Sequence, residues 1–398
     1  MGQPDGDEGS AQGLVLLLCD LELAALLKGA VSEYPSADMR ELLLALAAVL
    51  NGRYAYELVF ARGAGAAPAP PGPAPAAAEA TAEASAKAVA DRLGAVDGGL
   101  GAALGVDVPA AVLVLRGVAP ARAARWLSRA ADALAAFSQN AAGDEEPAAA
   151  GGEEPAAAAA LEPAMRVITG ELGIPAALLA GVRVDRCAVD GLPARCFAFH
   201  APDDLRLVVP HQTRVGSLRT LAHELGHAVY FRAARGSGQS PWAFEPAAGP
   251  EAAAFSLEYA AALLASEAAP AQVNMRLARL AREVEWTARA ALVEMAVHGV
   301  PEATAGWRSA NLPEYLQHPW STLDYALARL TAFAAAIGVL RQPHLRAGQV
   351  ILECLVRPGA RRSWAERHNS LVAELGVGDL DLEAPPADAS DVASWRPG

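Results

Sequence analysis

Cysteine is rare in this chain, four in 398 residues, and the four are scattered. That excludes a disulfide framework and fits reduced thiols in a cytoplasmic protein. Cys187 and Cys196, which flank "AVDGLPAR", are the one pair a hairpin would bring face to face. A basic surplus is also missing: 32 Lys and Arg against 45 Asp and Glu leave a formal charge of −13. There is no electrostatic footprint for nucleic acid or for an anionic membrane surface. The longest apolar run near the start, "GLVLLLCDLELAALLKGA", has an acidic flank (Asp5, Asp7, Glu8) and is broken by Asp20 and Glu22. It falls short of the about 20 residues a span requires and reads as a buried helix. No internal repeat is visible, and histidine is scarce, at 8 residues.

What the chain has in plenty is alanine, which supplies much of a 53% hydrophobic composition. Helix is therefore the default expectation, and the length allows a substantial core. Two stretches interrupt it. Residues 63–80, "GAGAAPAPPGPAPAAAEA", cannot run as a continuous helix, because each proline removes a donor and clashes with the preceding turn. Residues 141–163 mix acidic pairs, prolines and glycines in the same way. Read as linkers, they divide the chain into helical segments at 1–62 and 81–140 and a domain at 164–382, with a disordered tail at 383–398.

Within that domain the period changes. "MRVITGELGIPAALLAG" is helical, whereas "VRVDRCAV", "ARCFAFH" and "LRLVVP" are short, β-branched or aromatic, and separated by Asp190-Gly191 and Pro202-Asp203-Asp204 turns. They predict a small antiparallel sheet. From residue 216 to about 375 the pattern is helical almost throughout, so the expected fold is mainly α with the sheet as a minor element.

The helical run opens with "LAHELGHAVYF". A helix turns about 100° per residue, so His223 and His227 project from one face within reach of one ion, with Glu224 beside them to address a water on that ion. Two packed histidines with a chance glutamate between them would look the same, but histidine is too scarce here to make that coincidence attractive. A catalytic zinc needs a third protein ligand and an open fourth position. A third histidine six residues on is excluded, since that position is Ala233. Carboxylates remain: Glu245, Glu251, Glu258 and Glu267. Glu245 sits in a loop between prolines, whereas Glu251 follows Gly249-Pro250 at a helix start and opens "EAAAFSLEYAAALLA". A ligand on a rigid second helix is the better choice, and Glu258, two turns along the same face, is placed to hydrogen-bond a ligating imidazole.

At these residues the chain resembles the thimet oligopeptidase and oligoendopeptidase F group of zinc peptidases, whose members carry HExGHA and then a helix of the form E-x-x-S/A-x-x-x-E. "HELGHA" and "EAAAFSLE" match, with Glu251 and Glu258 in the two glutamate places, and "PWSTLDYALARLTAF" is similar to the group's "PFYxIDYALA". The resemblance covers about residues 164–375. It implies a helical zincin-like core, one Zn²⁺ held by His223, His227 and Glu251, Glu224 as general base on a zinc-bound water, and Tyr325 polarising the scissile carbonyl, assisted by His318. It implies a cytoplasmic endopeptidase acting on short unstructured peptides, aligned against an exposed strand at "LRLVVP".

The chain departs from that pattern at several points. Tyr230 stands where a further histidine is common, and Ser321 and Thr322 replace tyrosine-rich positions. Glu314 falls at the place of the substrate-binding histidine, so His318 serves only with a shift of register. The N-terminal half is short. These departures keep two other readings open: a catalytically weak or silent relative that binds a peptide or protein partner, and a maturation protease dedicated to one peptide. His200 and His211 lie near the sheet and read as exposed; "LGAVDGGLGAALGV" lacks the lysine of a phosphate loop; Arg361-Arg362 reads as a solvated face.

Overall fold

A computed structural model describes residues 108–142, 157–187, 194–200, 204–210, 217–236, 247–264, 270–300, 303 and 320–377. The expected segment 1–62, the linker 63–80, the glycine-rich stretch and the tail 383–398 lie outside the described residues. So do His211, Glu245, Glu267, Glu314 and His318.

The described chain is mainly helical. Two helices, α1 (Val108–Leu115) and α2 (Pro120–Ala142), precede α3 (Ala157–Arg166), which continues through a π turn at Val167–Glu171. Then come β1 (Arg183–Cys187), β2 (Arg195–His200), β3 (Asp204–Pro210), α4 (Ser217–Gly236), α5 (Ala248–Leu264) and α6 (Pro270–Val297). The last helices are α7 (Ser321–Arg341), α8 (His344–Ile351) and α9 (Trp364–Leu375). Helix α3 begins inside the stretch expected as linker, because its start is an alanine run in which helix costs least.

Helix α7 is the centre of the molecule. It is apolar over most of its surface, and from Leu323 to Val339 nearly all of it is buried, as a core helix must be. Among the described residues it alone is long and apolar enough to cross a membrane, but its surroundings are protein. Helices α5, α6 and α9 pack around it, α4 packs on α5, and α2 lies along α6. The end of the 81–140 segment therefore shares the core of the 164–382 segment: Trp126 meets Trp364 edge on, and Phe137 meets Phe333.

The sheet differs from expectation in two ways. Its order is β1-β3-β2, with β2 antiparallel to β3 but β1 parallel to it, so the sheet is mixed. The "LRLVVP" strand is the middle one, so among the described residues the sheet's edges are β1 and β2. Composition explains this: Leu205, Leu207, Val208 and Val209 are all buried, which suits a strand covered on both faces and both edges. β1, with Arg183 and an exposed Val184, suits an edge. Since β3 separates β1 from β2, Cys187 and Cys196 do not face each other across a hairpin, and Cys196 is a free thiol.

Candidate metal centre

The helix carrying "HELGHA" buries Leu221, Ala222, Leu225, Ala228 and Val229 and turns His223 and His227 toward α5. Gly226 lies between them and permits an unusually close crossing. A Cβ built there would stand 2.6 Å from the Ala254 Cα and 3.3 Å from its carbonyl oxygen. Ala254 is one turn after Glu251, so this contact brings the Glu251 carboxylate over the two imidazoles.

His223 Nε2 and His227 Nε2 are 3.1 Å apart. Glu251 Oε2 is 3.3 Å from the first, and Oε1 is 3.6 Å from the second. Among the described residues this is the one group of three or more potential ligands whose donor atoms converge, all within 4.8 Å of one another. A tetrahedral ion with bonds of about 2.0–2.1 Å has ligand edges of roughly 3.3 Å, so the three atoms fit a zinc-sized position. One buried atom points the same way: Glu251 Oε2, which faces this position, has no hydrogen-bond partner among the described residues.

Without an ion the charges settle among themselves. Burial disfavours the His223 cation, but Glu251 and Glu258 outweigh it and push the imidazole up to about 10. His227, buried and beside that cation, is pushed down to about 4 even though Glu251 opposes the shift. Burial raises the Glu251 carboxyl, and the two imidazoles more than reverse this, leaving it below the ordinary range. The state is a histidinium, a neutral histidine and a carboxylate, in which one dication replacing one proton would satisfy all three.

Glu224 is buried at 8% exposure and accepts the Cys196 backbone N–H at 2.5 Å. Burial pushes its carboxyl up, against the His223 charge and that hydrogen bond, to about 7. A carboxyl there can both take and return a proton near neutrality. The contact also shows that the free side of β2 faces Glu224, since its other side pairs with β3.

Glu258 stands where expected, with Oε2 3.1 Å from His223 Nδ1. Burial raises its carboxyl, but the His223 hydrogen bond and the Arg219 charge bring it below the usual range. Tyr325 lies just after the first turn of α7, 39% exposed, its ring 5.9 Å from Phe255, which in turn packs 4.5 Å from the His223 ring. The sequence reading missed its neighbour Asp324. Arg116 holds that carboxylate by two bonds of 2.6 and 2.8 Å, and Asp324 accepts the backbone N–H groups of Ala247 and Ala248, at the start of the helix that carries Glu251. Glu294 does the same for α7 through the N–H groups of Leu323 and Trp320. The signal was an acidic residue in an otherwise apolar helix, which a buried helix carries only when it is paired.

Comparison with protein-family models, with curated proteins and with solved structures finds no match to this chain in any of the three.

Proposed function

We propose that the chain is a zinc-dependent endopeptidase of the thimet oligopeptidase and oligoendopeptidase F kind, acting on short unstructured peptides. The observation that carries this reading is the convergence of His223, His227 and Glu251 on one zinc-sized position with a buried, near-neutral Glu224 beside it. A purely structural metal has no need of a base, and such sites more often use four protein ligands.

When bound, zinc supplies Lewis-acid chemistry, lowering the pKa of a coordinated water to about 7 and polarising a carbonyl. The chain does the rest. His223 and His227 hold the ion through Nε2, and Glu251 through its carboxylate. Glu224 takes the proton of the attacking water and delivers it to the leaving amine. Its release from the Cys196 N–H accompanies substrate entry, because an extended peptide pairing with β2 competes for that same backbone edge. Tyr325, on the solvent side of Phe255, donates a hydrogen bond to the developing oxyanion. His318 would serve as a second donor to the same oxygen.

A second reading, a partner-binding relative without turnover, is favoured by one observation: the Glu224 carboxylate is already engaged by the protein's own backbone. Elemental analysis of the purified protein and digestion of a broad peptide library, each compared with E224Q, decide between them. One zinc per chain with zinc-dependent cleavage supports the enzyme. Zinc without any cleavage, alongside saturable peptide binding, supports the second reading.

A further inference from the structure

Behind His223 four helices close a ring of contacts that the zinc motif does not require. His223 Nδ1 faces Glu258 Oε2 at 3.1 Å. Glu258 Oε1 accepts from Arg219 twice, from Nε at 3.1 Å and Nη2 at 2.6 Å. The same guanidinium forks onto Glu283, Nη1 to Oε1 at 2.7 Å and Nη2 to Oε2 at 2.6 Å. Arg329 Nη1 is 3.5 Å from Glu283 Oε2, and its guanidinium carbon stands 4.6 Å from the Phe255 ring centroid. Phe255 packs 4.5 Å from His223, and the ring is closed.

We propose that Arg219 is a positioning residue for the metal ligand His223, acting through Glu258. The inference rests on the zinc reading above. Glu258 has one oxygen for the imidazole and one for the guanidinium, so its plane is set only when both are engaged. Freed at Oε1, the carboxylate rotates and the Nδ1 contact no longer fixes the imidazole with Nε2 toward His227 and Glu251. Helix spacing makes the arrangement possible: Arg219 and His223 are four apart on α4 and share a face. A planar fork is required, because one side chain must hold two carboxylates from different helices in fixed directions, which a lysine ammonium does not do. The Glu258 end is the buried one; Arg219 and Glu283 are about a third exposed, so solvent screens the outer pair and orientation, rather than charge, is what the ring supplies.

The test uses the full chain and zinc itself, with affinity read by competition against a chromophoric chelator and ligand geometry read from the visible absorption of the Co²⁺ form. R219M is expected to weaken zinc roughly 10- to 100-fold, the range typical of groups that orient ligands. R219K recovers part of the loss. In an E258Q background, R219M adds no more than about twofold, because the route through Glu258 is already cut. A helix brace with no link to the ligand would instead lower thermal stability equally in both backgrounds and leave the Co²⁺ bands alone. R219M binding zinc within about threefold of wild type, or losing as much on E258Q as alone, overturns the proposal. Wild type that holds no zinc overturns the zinc reading and this inference with it. If R219M does not fold, R219Q is judged by the same limits.

Discussion

Gly226 on the helix of His223 and His227 meets Ala254 on the helix of Glu251 so closely that a single added methyl carbon would lie 2.6 Å from backbone. No rotamer change relieves a clash with a Cα. G226A must therefore push α4 and α5 apart, and Glu251, one turn from Ala254, moves with its helix. Overpacking of this kind costs about 1–3 kcal/mol, and zinc affinity should fall at least about tenfold as the donors separate. G348A is the control: its Cβ would meet the Leu172 carbonyl oxygen at 1.9 Å, a contact that involves neither the helix of His223 and His227 nor the helix of Glu251, so it should destabilise the fold and leave zinc affinity intact in the folded fraction. Chemical denaturation and chelator competition on both variants check this. Equal zinc loss in the two would remove the special role of the helix crossing.

Base and ligand should separate by substitution. E224Q keeps shape and zinc but cannot accept the water's proton, and turnover should drop by about 10²–10⁴. E251A should instead lose the metal. Y325F should lower kcat with zinc content unchanged. Zinc content and peptide turnover measured on the three variants test the assignment, and reversed phenotypes for Glu224 and Glu251 would refute it.

Much of the site was legible because its geometry is local. The spacing of His223 and His227 fixes them on one helical face, and a proline-led helix start locates Glu251. Glu258 follows from the same periodicity. Arg219 was not legible: its partners Glu258 and Glu283 lie 39 and 64 residues away, and only the packing of α4, α5 and α6 joins them. The strand order was missed for a related reason. Local turn signals describe hairpins, whereas the parallel pairing of β1 with β3 depends on which strand is apolar enough to be covered on all sides. Asp324 carries no local signal of its partner, because its place in a buried helix requires a cation that arrives from elsewhere in the chain.

That cation is Arg116, in the connection between α1 and α2. Arg116 and Asp324 are 6% and 5% exposed, and either alone would be a buried charge without its counterion. R116M should cost about 3–5 kcal/mol, well beyond a surface ion pair, and should also weaken zinc by loosening the start of α5. R116M/D324N should recover much of the stability, since neither charge then remains. Urea unfolding of the single and double variants is the measurement. A double variant no more stable than R116M would mean that packing of the arginine stem, not charge, is what matters.

Two groups outside the candidate metal centre should give stability opposing slopes with pH. On the acid side, burial pushes His368 down to about 4. The unfolded chain takes up that proton near pH 6.5 and the native one does not, so stability is present above about 6.5 and is lost as pH falls toward 4. On the alkaline side, burial raises Glu294 to about 8, with Asp324 adding to the rise and the Leu323 and Trp320 N–H groups opposing it. Here the native state holds the proton that the unfolded carboxyl releases near about 4.3. The sign is therefore opposite: this contribution is complete below that value and disappears as pH climbs through 8. Glu294 anchors the start of α7, so its ionisation acts on the central helix. E294Q copies the protonated form and still accepts a backbone N–H, so it should remove the fall between about pH 4.3 and 8; because that window overlaps the one set by His368, stability should then rise more steeply below about pH 6.5 and stay flatter above it. Thermal unfolding across pH 4.5–9 with zinc chelated, so that metal binding adds no slope of its own, compares the two proteins. An E294Q curve parallel to wild type above pH 6 would show that Glu294 is already ionised in the native state and that another group sets the alkaline limit.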